Sequence, residues 1–257
     1  MIPQIIHQIW LSPPMPEKYT AWGRMLRDLH PGWDVRLWTP VNLHDYDLTL
    51  DRYDLRGYHP SIVSDVFRIL VVHQYGGFYL DCDCEPLGSL EPLRNHEFVC
   101  RGPEEPSYFA GRPVRINTGD FFGAPAGSPV LAAYLERCDR MRETEENILY
   151  KYGFLGLSEH LYEMRDKLTF IARRELDARY FRHYSAGAWL SPAARDNYRP
   201  IATAGPMRDP FKPRRPPPAE KRTTPVPWPT AAQMLTSNRG PNAGCCSRPS
   251  NREIRRK

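Results

Sequence analysis

Residues 61–83 contain three successive features that together indicate one kind of fold. The run SIVSDVFRILVVHQY is apolar on almost every side, which predicts a buried helix over residues 61–75. Gly76 and Gly77 follow it and are expected to end the helix, because glycine takes the left-handed conformation at little cost. Residues 78–83, FYLDCD, then have the composition of a strand. A buried helix that leads directly into a strand is typical of an α/β domain.

Strands and helices are predicted to alternate through the first 200 residues. Further strands are predicted over residues 4–10, 33–38, 98–101, 116–122, 168–172 and 178–184. Further helices are predicted over residues 17–29, 128–141 and 155–167. This alternation implies an α/β sandwich with a mainly parallel central sheet. The chain of 257 residues is long enough for one such domain and an appended segment.

The last 52 residues differ from the rest in charge and in proline content. Residues 206–257 contain 12 basic and three acidic residues, a net charge of +9, whereas residues 1–205 contain 23 basic and 27 acidic residues, a net charge of −4. The same segment contains 11 of the 27 prolines and few aliphatic residues, so it cannot bury enough apolar surface to offset its ordering entropy. We therefore predict a folded domain over residues 1–205 and a disordered, basic, proline-rich tail. The tail is either a solvated appendage or an anchor for an anionic membrane, nucleic acid or a proline-binding partner.

Composition argues against several other classes of protein. No run of about 18 apolar residues is present, which argues against a transmembrane helix. The opening MIPQIIHQIWL lacks the basic region and the cleavage site of a secretory signal. The six cysteines are few and irregularly spaced, which argues against a disulfide framework. We therefore expect a cytoplasmic protein, either free or at the cytoplasmic face of a membrane.

Asp81 and Asp83 are the strongest candidates for a metal site. Strand residues two apart face the same way, so the two carboxylates are expected to converge while Cys82 and Cys84 point elsewhere. Adjacent acids repel unless a cation or a proton joins them, and Mg²⁺ or Mn²⁺ accepts oxygen ligands. The carboxyl end of a strand is also where open α/β sheets bind ligands. Glu85 continues the same face, so a metal-dependent phosphoesterase or nuclease is one function for these acids.

Asp65 and Arg68 form a second polar feature, on an otherwise apolar helix. Because they are three residues apart, their side chains share one face. They either form an internal ion pair or hydrogen-bond a polar ligand such as a sugar, with Asp65 accepting and Arg68 donating. A buried ion pair adds little net stability over an apolar substitute, so stability alone is a weak reason for it.

Residues 61–83 resemble the signature of glycosyltransferase family 32, Ser-Asp-x-x-Arg followed by Tyr-Gly-Gly-x-Tyr-x-Asp-x-Asp. IPQIIHQIW resembles the family's first strand, INTGDFFGAPAGSPVL its Asn-containing strand, turn and helix, and HYSAGAW its late His-x-x-x-Gly-x-Trp element. The resemblance spans about residues 2–192 in the family's order. It implies a GT-A-type nucleotide-diphospho-sugar transferase fold and transfer of a hexose to a glycan or glycolipid hydroxyl. It also implies a nucleotide-diphosphate sugar donor, a divalent metal (Mn²⁺ or Mg²⁺) and retention of anomeric configuration.

The resemblance also implies roles for individual residues. Asp81 and Asp83 match the Asp-x-Asp motif that holds the metal, and His183 matches a late histidine that completes the metal shell. Asp65 and Arg68 match the pair that holds the donor sugar. Four further residues are assigned to donor binding by the same match: Trp10, Tyr79, Asn117 and Trp189.

Several of these assignments have an alternative. Trp10 either stacks on the nucleotide base or is an ordinary core tryptophan, and Trp189 either covers the pyrophosphate or packs the last turn. Asn117 is expected close to the donor sugar. His183 is otherwise a surface histidine on a strand. Asp120, where the family more often has an apolar residue, is expected to contact the acceptor or to be exposed.

Two further alternatives come from other regions of the sequence. A nucleic-acid or membrane-surface binding protein would act through the basic tail, with salt-dependent affinity. Zinc binding by the cysteines is disfavoured, because they lack paired C-x-x-C spacing. For the transferase, no carboxylate can be assigned as a nucleophile, so we expect front-face attack with the leaving phosphate as the base.

Overall fold

The computed structural model of the protein describes residues 1–43, 53, 60–102, 107–109, 112–114, 116, 119–144, 146 and 148–184. Two residues assigned to donor binding, Asn117 and Trp189, lie outside the described residues. The tail, residues 206–257, and the predicted domain boundary after residue 205 lie outside them as well. Predictions for these positions therefore stay predictions.

The described residues form an α/β structure. The strands are β1 (Ile5–Ile9), β2 (Asp34–Trp38), β3 (Gly77–Leu80), β4 (Cys84–Pro86), β5 (Val99–Arg101), β6 (Ser107–Phe109), β7 (Arg112–Val114), β8 (Phe121–Ala124), β9 (Thr169–Ile171) and β10 (Phe181–His183). The helices are α1 (Glu17–Leu29), α2 (Pro60–Tyr75), α3 (Pro129–Met141), α4 (Ile148–Lys151), α5 (Phe154–Glu163) and α6 (Arg173–Arg179), with 3₁₀ turns at Glu91–Leu93 and Arg165–Lys167. Within the described residues, no helix has both the length and the apolarity that crossing a bilayer requires.

Six strands form the central sheet, in the order β2-β1-β3-β8-β5-β9. β1 pairs in parallel with β2 and β3, and β5 pairs in parallel with β9, whereas β8 is antiparallel to both of its neighbours. Two small antiparallel sheets, β4 with β10 and β6 with β7, complete the pairing. The α/β class and the mainly parallel sheet of the expected GT-A-type fold are confirmed.

The buried helix and its double-glycine stop are also confirmed. α2 packs against β1, β3 and α3, and Phe67 and Ile69 at its centre are fully buried. Gly76 and Gly77 have φ values of +67° and +100°, a region that side chains with a Cβ rarely adopt. A Cβ on Gly77 would lie 2.5 Å from the carbonyl oxygen of Ile5, so glycine also lets β3 approach β1 closely.

Four predicted boundaries were wrong. The strand predicted over 78–83 ends at Leu80, because the following residues turn out of the sheet, with the Cys84 amide donating to the Asp81 carbonyl oxygen at 3.2 Å. The strand predicted over 116–122 is β8, shifted toward Ala124, where pairing with β3 and β5 sets its limits. At Leu80 a local turn ends the strand, whereas at β8 contacts distant in sequence override the local pattern.

The other two errors lie late in the chain. The helix predicted over 155–167 ends at Glu163, where a 3₁₀ turn replaces it. The strand predicted over 178–184 begins only at Phe181, because α6 occupies the preceding residues. Two ion pairs four residues apart, Arg173–Asp177 and Arg179–Glu175, favour the helix there.

Candidate active site

The Asp81-Cys82-Asp83 segment lies in a turn at the carboxyl end of β3. The Asp81 amide donates to the carbonyl oxygen of Asp120 at 2.9 Å, which continues the β3–β8 pairing by one step. Cys82 points away from the acids, since its thiol donates to the Ile9 carbonyl oxygen at 3.4 Å. The turn, rather than strand alternation, therefore sets the direction of the two carboxylates.

The two aspartates converge on His183. Asp83 Oδ1 lies 3.2 Å and Asp81 Oδ2 lies 3.9 Å from the same atom, His183 Nε2. β10 brings the histidine there, because its antiparallel pairing with β4 places His183 opposite Cys84. The Cys84 thiol was expected to point elsewhere, but its sulfur lies within 4.8 Å of ligand atoms of Asp83 and His183. The structure thus brings together the three residues assigned to metal binding.

Asp65 and Arg68 lie beside this group and share a helix face, as predicted. Arg68 Nη2 is 2.9 Å from Asp65 Oδ1, and Arg68 Nη1 is 3.6 Å from Asp81 Oδ1. The Arg68 guanidinium lies 4.6 Å from the centroid of the Tyr79 ring, and the Tyr79 hydroxyl donates to Asp81 Oδ1 at 2.5 Å. Tyr79 therefore contacts Arg68, one of the pair assigned to the donor sugar, and Asp81, one of the two acids assigned to the metal.

Arg101 and Asp120 are two residues whose place in the site sequence reasoning missed. Asp120, expected at the acceptor or exposed, is only 4% exposed and forms an ion pair with Arg101, which is 2% exposed. Asp120 Oδ2 is also 3.2 Å from His183 Nδ1. The available signal was that both charged residues flank short apolar strands: Arg101 is the last residue of β5, and Asp120 immediately precedes β8.

These residues form what we call the carboxylate cluster: Asp65, Arg68, Asp81, Asp83, Arg101, Asp120 and His183. Burial raises the pKa of Asp65 to about 6, although Arg68 opposes the shift. Burial also raises the pKa of Asp81, and the charge of Asp83 adds to the increase, whereas Arg68 opposes it. Burial lowers the pKa of His183, but its hydrogen bonds to Asp120 and Asp83 outweigh that effect and raise it to about 10.

The charges and donor atoms of the carboxylate cluster fit a divalent ion. Four carboxylates face two guanidinium groups, and Asp81 and Asp83 approach each other with only an imidazole between them. Two carboxylates and one imidazole suit Mn²⁺ or Mg²⁺, and a cation there would favour the charged form of Asp81, which burial and the charge of Asp83 disfavour.

The other predicted donor residue, Trp10, lies just past the carboxyl end of β1. It is partly exposed, packs against Tyr19 at a ring-centroid distance of 5.5 Å, and donates from Nε1 to the Ser12 carbonyl oxygen. Glu85, the third acid of the phosphoesterase alternative, accepts from the Tyr184 hydroxyl at 2.7 Å and pairs with Arg182. Trp10 therefore keeps an accessible surface at the carboxyl end of β1. Glu85 instead forms its contacts with Arg182 of β10 and with the adjacent Tyr184.

Comparisons with known proteins match part of this chain to glycosyltransferases. The chain is 36% identical over 100 residues to Inositol phosphoceramide mannosyltransferase 3 of Schizosaccharomyces pombe, a match that covers 37% of this chain and 28% of that protein. It is 32% identical over 98 residues to Mannosyl phosphorylinositol ceramide synthase SUR1 of Saccharomyces cerevisiae, covering 36% of this chain and 25% of that protein. The chain thus matches little more than a quarter of the length of these relatives.

A solved structure, PaToxG Glycosyltransferase, is 17% identical, with a TM-score of 0.46 over 63% of this chain and 70% of that chain. Residues 16–99 match the model of the family described as "Glycosyltransferase sugar-binding region containing DXD motif". This segment contains α2, the double glycine and the Asp81-Cys82-Asp83 turn. Through residues 16–99, the chain is therefore similar to glycosyltransferase sugar-binding regions that contain the DXD motif.

Proposed function

We propose that this protein transfers a hexose from a nucleotide-diphosphate sugar to a hydroxyl of a glycan or glycolipid acceptor, with a divalent metal and with retention of configuration. The observation that carries the proposal is the convergence of Asp81, Asp83 and His183 beside the Asp65–Arg68 pair. Metal-ligand atoms and groups that suit sugar hydroxyls thus lie at one end of the sheet.

Asp81, Asp83 and His183 would hold the metal. When bound, Mn²⁺ or Mg²⁺ supplies positive charge that stabilises the diphosphate leaving group. The backbone amide of Asp81 donates to the Asp120 carbonyl oxygen, which fixes the turn after β3. The Tyr79 hydroxyl donates to Oδ1 of the Asp81 carboxylate. These bonds orient the carboxylate before a ligand arrives, so little reorganisation is needed on binding.

Asp65 and Arg68 would bind the donor sugar. Arg68 is held by Asp65 and by the carbonyl oxygens of Ser64 and Gly119, so its guanidinium is fixed in orientation. The Tyr79 ring packs against the Arg68 guanidinium. Trp10, Asn117 and Trp189 are proposed to contact the base, the sugar and the pyrophosphate, respectively. The relatives named as mannosyltransferases make mannose the first sugar to test.

Retention follows from front-face attack in this proposal. The bond between the anomeric carbon and the diphosphate oxygen breaks, and the electron pair leaves with the diphosphate. The acceptor oxygen forms a bond to the same face of that carbon, and its proton passes to the departing phosphate oxygen. Buried carboxylates around the sugar stabilise the positive charge that develops on the ring.

The acceptor and the location of the protein are further parts of the proposal. The relatives' names include inositol phosphoceramide, so a glycolipid head group is the first acceptor class to test. The basic tail would hold the protein at the cytoplasmic face of an anionic membrane, where such an acceptor is presented.

A donor screen tests the proposal. The full chain is incubated with UDP- and GDP-linked hexoses, mannose included, in Mn²⁺, Mg²⁺ or EDTA, and the products are separated. We expect one donor to yield nucleoside diphosphate and free hexose with metal only. Nucleoside monophosphate and hexose 1-phosphate would instead mean cleavage of a P–O bond, as by a phosphoesterase.

Two aspartate variants form a matched pair for this screen. Asp83→Asn should abolish hydrolysis while the fold stays intact. Asp34→Asn should leave hydrolysis unchanged, because Asp34 is exposed at the start of β2, the opposite end of the parallel strands. Near-normal turnover by Asp83→Asn in limiting Mn²⁺ would contradict the assignment.

A further inference from the structure

We propose that Asp120 and Arg101 are positioning residues that fix the imidazole of His183 for metal binding. The inference rests on the proposed function, since it takes His183 as a metal ligand. It concerns two residues that are not proposed metal ligands themselves and that act through the histidine.

The first observation is how the imidazole is connected. His183 Nδ1 lies 3.2 Å from Asp120 Oδ2, and His183 Nε2 lies 3.2 Å from Asp83 Oδ1 on the other side of the ring. Arg101 Nη2 also lies 3.5 Å from His183 Nδ1, which is long for a hydrogen bond. A proton on Nδ1 donated to the closer Asp120 carboxylate leaves the lone pair of Nε2 available to a metal held by Asp81 and Asp83. Histidine ligands of metals are commonly held by such a carboxylate, which selects the tautomer and orients the ring.

The second observation is how firmly Asp120 itself is held. Arg101 Nη2 forms an ion pair with the same oxygen, Asp120 Oδ2, and both side chains are almost fully buried. Asp120 directly precedes β8 and Arg101 ends β5, and these two strands pair with each other. The carboxylate therefore belongs to the rigid central sheet, whereas His183 lies on the short, separate β10–β4 sheet.

The third observation is energetic. A buried ion pair gives little net stability compared with apolar residues of similar volume, because desolvation offsets the attraction. The Asp120 main chain, by contrast, already serves the turn through its carbonyl oxygen, which any residue could supply. The charged side chain at position 120 is thus explained by the imidazole that it contacts rather than by folding.

The test measures metal binding and the imidazole itself, without any donor. The full chain and its variants are titrated with Mn²⁺ alone, and the free ion is quantified by electron paramagnetic resonance. Separately, the ¹⁵N-labelled imidazole resonances of His183, assigned by their loss in His183→Gln, report the protonation of each ring nitrogen in Mg²⁺. If the Arg101–Asp120 pair only supported the fold, removing it would change neither the Mn²⁺ affinity nor the imidazole resonances of His183.

The double substitution Arg101→Met with Asp120→Leu removes both charges together, so no buried charge is left unpaired. We expect Mn²⁺ affinity to fall on the order of 10–100-fold, and the Nδ1-protonated form of His183 to lose its dominance. Asp120→Asn keeps an oxygen that accepts from Nδ1, so its loss of Mn²⁺ affinity should be smaller. This variant replaces the double variant in the test if the double variant does not fold. Glu91→Gln with Arg94→Met removes an ion pair near the amino end of β1 and should change neither readout.

Two outcomes separate the failure of this inference from that of the proposed function. If His183→Gln weakens Mn²⁺ binding but the charge-removing variants leave the affinity and the imidazole resonances unchanged, the positioning role is wrong. If Asp83→Asn weakens binding and His183→Gln does not, His183 is not a ligand, and the proposed metal site and this inference both fail on that point.

Discussion

His7 is buried and His183 is partly buried, and their surroundings differ in one informative respect. His7, in the middle of β1, accepts at Nδ1 from Trp38 Nε1 at 3.1 Å and has Nε2 2.9 Å from the Gly76 carbonyl oxygen. Burial lowers its pKa to about 4, with the Gly76 hydrogen bond opposing the shift, so the ring is neutral at pH 7. His183, at the end of β10, is surrounded by three carboxylates, and its pKa is raised.

Under the proposed function, the difference separates a histidine that supports the fold from one that binds a metal. Around His7 each ring nitrogen has one neutral partner, which satisfies the ring and joins β1, β2 and the double-glycine turn. Around His183 the acids exceed the fixed cations, and the balance needs either a proton on the ring or a metal ion. We therefore expect changes near His7 to alter stability, and changes in the carboxylate cluster to alter activity.

A large loss of hexose transfer is expected for Asp65 and Arg68, the pair assigned to the donor sugar. Removing either charge, by Asp65→Asn or Arg68→Gln, should reduce hexose transfer on the order of 10²–10⁴-fold, because the donor sugar loses its positioning. Affinity for the nucleoside diphosphate alone should be little changed, as measured by calorimetry. An equal loss of affinity for the free diphosphate would point instead to an ion pair that only supports the fold.

A smaller effect is expected for pH and the His7 site. The pKa of His7 is about 4 in the folded protein and 6.5 when exposed, so the unfolded chain binds the proton more tightly. The free energy of unfolding should therefore fall as pH drops from 6.5 to 4, by about 3 kcal/mol from this group. Denaturant melts of the metal-free protein across this range, compared with His7→Gln, isolate the contribution, which the variant should lack. A parallel pH slope in the variant would contradict it.

Removing a carboxylate from the cluster should change stability in the opposite direction. Burial and the nearby Asp83 disfavour the charged form of Asp81, so Asp81→Asn should raise the free energy of unfolding in EDTA by about 0.5–2 kcal/mol. Transfer should be lost in the same variant. If Asp81→Asn destabilises the metal-free protein, the charge there supports the fold, and the contrast with His7 is weakened.

The smallest effect on chemistry is expected for the tail. A chain that ends at residue 205 keeps every proposed site residue, so donor hydrolysis should be unchanged. Co-sedimentation with anionic vesicles should drop sharply, and more so at low salt, because each basic residue near such a surface contributes about 1 kcal/mol. Loss of hydrolysis in a folded truncated chain would mean that the tail completes the active site.

The sequence predicted best those features that are encoded locally. The limits of α1 match the prediction at both ends, because spaced apolar residues and flanking prolines mark them within one segment. The helix, double glycine and strand of residues 60–80 were found for the same reason. Asp65 and Arg68 lie in this region, and Asp81 and Asp83 follow it directly, so these four of the seven cluster residues could be named before the geometry was known.

The remaining cluster residues depend on pairing between distant segments. His183 reaches the acids through the β10–β4 pairing, and Arg101 lies 82 residues before it in the chain. No periodicity in the sequence indicates that β5, β8 and β10 lie close together. The contacts of Asp120 with Arg101 and with His183 were therefore not predictable. The limits of β8 and β10 were misplaced for the same reason, since strand partners rather than composition determine them.

The central claim is that the carboxylate cluster is completed by a divalent metal that binds the diphosphate. Calorimetric titration of the full chain with UDP and GDP, in Mn²⁺ and in EDTA, tests it directly. We predict that Mn²⁺ raises the affinity for one of them by on the order of tenfold or more, because a bound cation attracts the negative phosphate oxygens. This gain should be absent in Asp83→Asn and retained in Asp34→Asn. Equal affinity in Mn²⁺ and in EDTA for the unsubstituted protein would contradict the account.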